Sequence, residues 1–406
     1  MRTVEEHLAA VLDGVEPLEP IDVGLGDVRG CVLAEDITAP WPLPPFDNSS
    51  MDGYAVRTAD LADAADDAPV LLDVIEDLPA GHRPTRAVTA GTAVRIMTGA
   101  PLPEGADAVV PVEGTDAGVH AVKVTRQVEP GAFIRRAGDD VAAEETVMRA
   151  GQPLGPRQVA LLAAVGRGSA VIRPRPRIVV LSTGSELVPA GQPLAPGLIP
   201  DSNSLMLAAA AFEAGAVPYR VGPVRDDEET LLDTLEDQLV RADLVITTGG
   251  VSAGAYDTVK AVLSRLGTVE FVRVAMQPGM PQGHGRLGPD ETPIFTLPGN
   301  PVSAYVSFEI FVRPVIRRML GFRQVHRPAV RARCLEGFTS PEGKMQFARG
   351  TLGVADGRYV VRPVGGQGSH VLGGLARSDA LIAIPPAVTT VKAGSAVTVL
   401  RLDVDG

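Results

Sequence analysis

Cysteine is nearly absent: the 406 residues hold only Cys31 and Cys334, far apart, with no Cys-x-x-Cys and no Cys/His group at zinc spacing. A structural zinc site is thereby excluded, and both thiols read as small buried side chains. Positive charge is also in short supply. Against 49 Asp and Glu there are 37 Lys and Arg, a formal charge of −12, so the chain lacks the basic face that a nucleic-acid partner requires. Any anionic ligand must therefore be met by a local cluster or by a metal. No apolar run approaches the roughly 20 residues of a membrane-spanning helix. The N-terminus carries Glu5 and Glu6 in place of an apolar signal core. The expectation is a cytoplasmic protein with no membrane or nucleic-acid partner.

What is present is ample apolar content, 45% of the chain, punctuated by 44 Gly and 35 Pro that mark frequent turns. The length implies about two to four domains. The chain turns on residues 243–257, where Leu244, Val245 and Ile246 read as a buried parallel strand that empties into a loop of Gly, Ser and Thr and ends on Asp257. Gly249, Gly250 and Gly254 let a ligand approach backbone N–H groups, and Thr248 and Ser252 add hydroxyls, which suits a bound oxyanion. Asp257 stands where a helix begins, and N-capping is its plain explanation. Two segments repeat the design: residues 178–186, a strand running into a polar loop with Glu186, and residues 294–301, a strand ending at Pro298-Gly299-Asn300 with Asn300 as N-cap of a long helix. Ligands of open α/β sheets bind at the carboxyl ends of strands near the switch in strand order, so this edge reads as half of an active site.

Thr3-Val-Glu-Glu6 is a capping-box sequence, opening a helix with Val4, Leu8, Val11 and Leu12 on one face. Gly24-x-Gly26 lacks a third glycine in place and reads as turns, not a dinucleotide site. Pro40-Trp-Pro-Leu-Pro-Pro45 is a rigid connector that delivers residues 46–56, dense in loop-forming side chains including Asp52. Residues 70–128 form short β runs without a helix, a small all-β domain, with Thr98 where one strand ends. Arg135, Arg136 and Asp140 form a charge cluster whose ordinary explanation is a solvated loop. Helical periodicity returns over 141–172, and Arg173-Pro-Arg-Pro-Arg177 marks the start of the sheet domain. There Asp201-Ser202 caps one helix, Asp226 opens another with Glu229 three residues on, and alternating strands and helices run to Leu320. After Pro328 the chain reads as a small barrel, with residues 365–370 as its most ligand-like loop.

Taken together, Phe46-Asp-Asn-Ser-Ser-Met-Asp-Gly-Tyr-Ala, Arg95-Ile-Met-Thr-Gly-Ala, Ser182-Thr-Gly-Ser-Glu-Leu, Thr248-Gly-Gly-Val-Ser-Ala-Gly, Leu297-Pro-Gly-Asn-Pro-Val-Ser and Gly368-Ser-His resemble the molybdopterin molybdenumtransferase family, the bacterial MoeA type related to the E domain of gephyrin. The match runs nearly end to end and in order. It implies a multidomain α/β plus all-β fold: an elongated, discontinuous N-terminal domain (1–39 and 135–172), an inserted β domain (40–134), a doubly wound, mostly parallel α/β domain that binds molybdopterin (173–325), and a C-terminal β-barrel (326–406). It also implies a homodimer with the active site between the sheet domain of one subunit and the small β domain of its partner. The implied reaction takes adenylylated molybdopterin and molybdate, inserts the metal and releases AMP.

By the same resemblance Asp52, Thr98, Asp140, Glu186, Asp226 and Asp257 are the catalytic candidates. Asp52, Glu186, Asp226 and Asp257 are the candidates for holding Mg²⁺, a hard divalent ion that would sit between mutually repelling anions. Substrate anions would be fixed by Arg135, Arg136, Ser182, Thr183, Gly184, Thr248, Gly249, Gly250, Ser252, Arg273, Gln277, Pro298, Gly299, Asn300 and Ser369. One stretch departs from the family, whose Lys-Pro-Gly-Lys-Pro is here Gln277-Pro-Gly-Met280-Pro. Neutral residues hold an oxyanion by weaker bonds than charged ones, which implies lower molybdate affinity or substitution by Arg135, Arg136 or Arg286. Competing readings are a molybdopterin adenylyltransferase, since the related sheet domain occurs in proteins of that preceding step, and a non-catalytic scaffold. The adenylyltransferase and molybdoenzyme acceptors are the expected protein partners.

Overall fold

Unbroken apolar runs set the central sheet. Ile178, Val179, Val180 and Leu181 are fully buried, as are Leu244, Val245 and Ile246, the signature of strands covered on both faces. A computed structural model describes residues 1–249 and 255–404, with 255–257 described as backbone. In it the strands Arg177–Thr183 and Leu244–Thr248 pair in parallel, from Ile178 against Leu244 to Ser182 against Thr248. Val217–Val224 flanks the first strand and Thr292–Leu297 the second, both parallel. The sheet thus grows outward in both directions from Arg177–Thr183, and the order reverses between the two central strands.

The sheet is mostly parallel, but Pro281–Leu287 and Gly267–Arg273 complete it as an antiparallel pair. The connection between them is too short for the dozen or more residues a parallel crossover needs. Alternate residues divide the sheet cleanly. Ile178, Val180 and Ile246 face the helices Asn203–Glu213 and Pro301–Ser307, while Val179, Leu181 and Val245 face Glu228–Leu239 and Ala255–Leu266. The helix from Pro301 continues through a widened π turn, Phe308–Val312, into Arg313–Met319. Pro314 lacks an N–H and crowds the carbonyl one turn back, and the wider turn ahead of it absorbs the misfit.

The capping box forms, with Thr3 Oγ1 accepting the Glu6 N–H at 3.1 Å and Glu6 Oε2 accepting the Thr3 N–H at 2.8 Å. Val4 and Val11 pack into the core of the sheet domain beside Phe311 and Val315, not into the core shared by residues 28–172. His7 goes in with them, edge-on to Phe311 at 4.6 Å and to His284 at 4.9 Å. Neither ring nitrogen has a partner, and burial, reinforced by His284 and Arg2, pushes its pKa down to about 3.

Val28, Leu33 and Ile37 share one core with Val141, Met148 and Leu162, so the chain on both sides of the insertion builds a single unit. The insertion is a five-stranded sheet in the order Ala108–Pro111, Gly53–Val56, Thr92–Ile96, Val70–Leu78, Ala121–Val124. The loop-like segment 46–56 therefore corrects in its second half to a buried strand. A Cβ on Gly53 would fall 2.0 Å from the Val110 carbonyl oxygen, so this glycine serves a close strand approach and not a turn. Trp41, in the proline connector, lies on Gly166: a Cβ there would meet the indole at 2.1 Å, and the indole N–H donates to the Ala164 carbonyl at 3.4 Å.

The C-terminal strands Met345–Ala355, Arg358–Pro363, Ala329–Cys334, Ala396–Arg401 and Ala380–Ile384 close into a barrel. It is fastened to the sheet domain by Arg327, which donates to the buried Glu309 carboxylate at 2.8 and 3.1 Å. Cys31 and Cys334 are both buried and unpaired.

Candidate functional site

The three strand ends meet closely enough to require glycine. Gly249 has φ +96°, and a Cβ on it would fall 2.2 Å from the Thr183 carbonyl oxygen; Gly299 packs 3.5 Å from Gly249 by the same measure. Side chains then fix the frame. Thr248 donates to the Pro298 carbonyl at 3.0 Å, and Asn203 donates to Thr248 Oγ1 at 3.1 Å and to the Gly299 carbonyl at 2.7 Å. Ser182 donates to the buried Asp201 at 2.8 Å, and Asp201 also accepts the Ser204 N–H at 3.1 Å. The hydroxyls of Ser182 and Thr248 thus point inward and brace the loops, leaving Gly249, Gly299 and Asn300 at the edge. Asn300 occupies the N-cap position, but its side chain makes no capping bond and it is exposed. Gly250 and Ser252, and the side chain of Asp257, lie outside the described residues; the backbone places Asp257 inside the helix Ala255–Leu266.

Two carboxylates stand at this edge. The side chain of Glu186 folds back over Gly184, where a Cβ would meet its oxygens at 2.7 and 2.8 Å. Asp226 corrects the expectation that it opens a helix: Asp227 is the cap, with extended backbone and Oδ1 accepting the Thr230 N–H at 2.9 Å. Displaced one position from the cap, Asp226 turns toward Thr183 and Glu186, and its Oδ1 is buried without a hydrogen-bond partner. Burial raises its pKa and the Glu186 charge adds to the rise, while the Ser185 N–H and the Thr183 hydroxyl oppose it. A half-buried carboxylate with an orphaned oxygen beside a second carboxylate is a donor set that fits a hard divalent cation. Among the described residues no group of three or more His, Cys, Asp or Glu converges, so this chain brings Glu186 and Asp226 together without Asp52.

Asp52 lies on the inserted sheet, immediately before Gly53–Val56, and is exposed. Its Oδ1 accepts both the N–H and the hydroxyl of Thr98, at 2.7 and 2.8 Å, and these bonds hold its pKa below the ordinary carboxylate range. Nearby, Arg136 is bound to Asp47 at 2.6 Å, while Arg135, paired in the ladder with Asn48, and Asp140 are exposed. Apolar side chains are bare on the same arm: Phe46, Met51 and Phe133 are 45, 36 and 41% exposed.

The departure at 277–280 has a structural counterpart. The Arg273 guanidinium rests on the Met280 thioether at 3.1 Å, and Gln277 pairs in register with Gln346 of the barrel. Arg286 does not substitute for the missing lysines, because its guanidinium is held by the carbonyls of Gly14 and Glu291 at 3.1 and 3.2 Å.

Ser369 belongs to a loop docked on the same edge, its carbonyl accepting the Val302 N–H at 3.1 Å. That loop is built around Arg349, a residue with no sequence signal beyond an arginine in an apolar strand. Arg349 is 1% exposed, and its guanidinium donates to the carbonyls of Gly366, Gly368 and Val371. Asn203 was equally hidden, as an ordinary residue at a helix start.

Comparison with known proteins covers the chain end to end. Residues 2–166 match a family model described as the MoeA N-terminal region (domain I and II), 179–318 a probable molybdopterin binding domain, and 331–402 the MoeA C-terminal region (domain IV). The molybdopterin molybdenumtransferase 2 of Mycobacterium tuberculosis is 48% identical over 408 residues, covering 99% of this chain and 100% of that protein. The molybdopterin molybdenumtransferase of Bacillus subtilis is 36% identical, covering 94% and 89%. A crystal structure of the molybdopterin biosynthesis moeA protein from Pyrococcus horikosii superposes with a TM-score of 0.82 at 32% identity, covering 99% of each chain.

Proposed function

Since the chain belongs to the molybdopterin molybdenumtransferase family, we propose that it performs the metal-insertion step of molybdenum cofactor biosynthesis, taking adenylylated molybdopterin and molybdate and releasing AMP. The observation that carries this reading is the Glu186–Asp226 pair past the carboxyl ends of the adjacent strands Arg177–Thr183 and Val217–Val224, with the buried Asp226 Oδ1 left without a hydrogen-bond partner. Mg²⁺ held there by Glu186 and Asp226, with Asp257 as a further candidate, would neutralise phosphoanhydride charge and polarise the linkage. The backbone N–H groups at Gly249 and Gly299 orient the anions from the strand ends. Asn300, free of capping, offers its amide to the same edge. Arg349 holds the loop of Ser369 in place, so that the hydroxyl faces substrate from the barrel side. Ser182, Thr183 and Thr248 keep these elements in register.

Asp52, Thr98, Arg135 and Asp140 act on the site of a second subunit. Two features support this: the Asp52 arm is solvated with bare Phe46, Met51 and Phe133 beside it, and among the described residues no three acids of one chain converge. Among the described residues no helix is long and apolar enough to cross a membrane, and the cytoplasm is the compartment this reading assigns.

The purified chain, mixed with adenylylated molybdopterin, Mg²⁺ and molybdate, should release AMP only when molybdate is present. ATP consumption with plain molybdopterin would instead make it an adenylyltransferase. Asp52→Asn and Glu186→Gln should each be inactive alone, and mixing them should restore partial turnover through hybrid dimers. No recovery on mixing would place both acids in one subunit's site.

A further inference from the structure

The C-terminal barrel carries a cluster of cations that the catalytic reading does not use. A cavity of about 620 Å³ on its outer wall is lined by Arg331, Arg333, Arg358 and Tyr359, with Asp356 as the single carboxylate. Arg331 and Arg333 sit two apart on the strand Ala329–Cys334, so both side chains leave the same face. The strand Arg358–Pro363 is paired in parallel beside it, Arg333 against Val360.

Some exposed arginines of this acidic chain are covered by carboxylates, Arg136 by Asp47, Arg177 by Asp243, and Arg362, on the same strand as Arg358, by Glu336. In this cavity three arginines gather without such cover. Arg331 donates to Thr398 Oγ1 at 3.0 Å and to the Ala396 carbonyl, neutral acceptors that steady it and leave its charge uncompensated. Arg333 and Arg358 make no ion pair among the described residues. Like charges gathered on one sheet face oppose folding, so an anion that joins them is stabilised by all three.

The lining also selects the kind of anion. Planar guanidinium forks match the oxygens of phosphate in pairs, and Tyr359 among the lining residues supplies an aromatic side chain for a flat ring. Tyr359 is 38% exposed there. The volume is that of a small-molecule site and not of a flat docking face.

We propose that this cavity binds a nucleotide, its phosphates on Arg331, Arg333 and Arg358 and its base against Tyr359, separate from the catalytic strand ends and independent of the catalytic assignment.

The test is calorimetric titration of the full chain with ADP and, in parallel, with inorganic pyrophosphate at low salt. Arg333→Ser/Arg358→Ser should weaken both at least tenfold, while Asp226→Asn, at the strand ends, leaves this class of sites intact. Tyr359→Leu should weaken ADP but not pyrophosphate, a discrimination that a general loss of fold would not produce. ADP binding untouched by the arginine pair overturns the proposal. So does tighter binding of polyglutamate than of ADP, which would make the face a dock for acidic protein segments.

Discussion

Two aspartates show how differently one fold treats its carboxylates. Asp52, on the inserted sheet, is open to water and receives two bonds from Thr98, so its ionised form is favoured before any ligand arrives. Asp226, at the strand ends, is half-buried, has one oxygen without a donor, and faces Glu186, so its ionised form is disfavoured. The first is finished by its own chain. The second keeps an oxygen unmatched within its own chain, the place the proposed Mg²⁺ would take.

The contrast breaks most sharply at Asp226. A carboxylate whose folded pKa is raised binds more protons folded than unfolded, so its contribution to stability falls as pH rises through the carboxylate range. Asp226→Asn should therefore leave the ligand-free protein as stable or more stable at pH 7, while molybdate-dependent turnover drops on the order of 100-fold or more. Thermal melts with and without Mg²⁺ check it independently of turnover. The parent should gain stability from the ion and the variant should gain much less; equal gains would show that the ion binds elsewhere.

His7 sharpens the comparison from the opposite sign of charge. Its folded pKa of about 3 lies below the unfolded value of 6.5, so the unfolded chain takes up the proton first. Stability from its burial is full above about pH 6.5 and is lost as pH falls toward 3, at no more than roughly 1.4 kcal/mol per pH unit. In urea melts between pH 7 and 4, His7→Phe should flatten that slope. An unchanged slope would assign the acid sensitivity to other groups.

The smallest effect belongs to Thr98. Thr98→Val removes one of the two bonds to Asp52 and keeps the other, a modest loss because the carboxylate is open to water. Turnover should fall by up to about tenfold, and the acid limb of its pH profile should move toward neutrality as the Asp52 pKa rises. A profile displaced the other way would deny Thr98 its hold on the carboxylate.

The sheet domain was legible because strands buried on both faces write themselves as continuous apolar runs, as 178–181 and 244–246 do. Gly53–Val56 was not, since Asp-Gly spells a turn unless the neighbouring strand that demands the glycine is known. Asp226 was misplaced by one residue for a related reason: either aspartate of the pair could cap, and only the backbone angles at Asp227 decide. The motif residues were readable through their resemblance to a family. Asn203 and Arg349 act through carbonyls distant in the chain, and no local pattern announces such bonds.

The protein holds a single tryptophan, and it lies where the proline connector meets the end of the helix Pro156–Ala164. With no second indole to blur it, the emission of Trp41 is a one-point fluorescent gauge of how the inserted sheet sits against its base. Any swing of that sheet on substrate capture, slight or large, becomes an optical signal without a label.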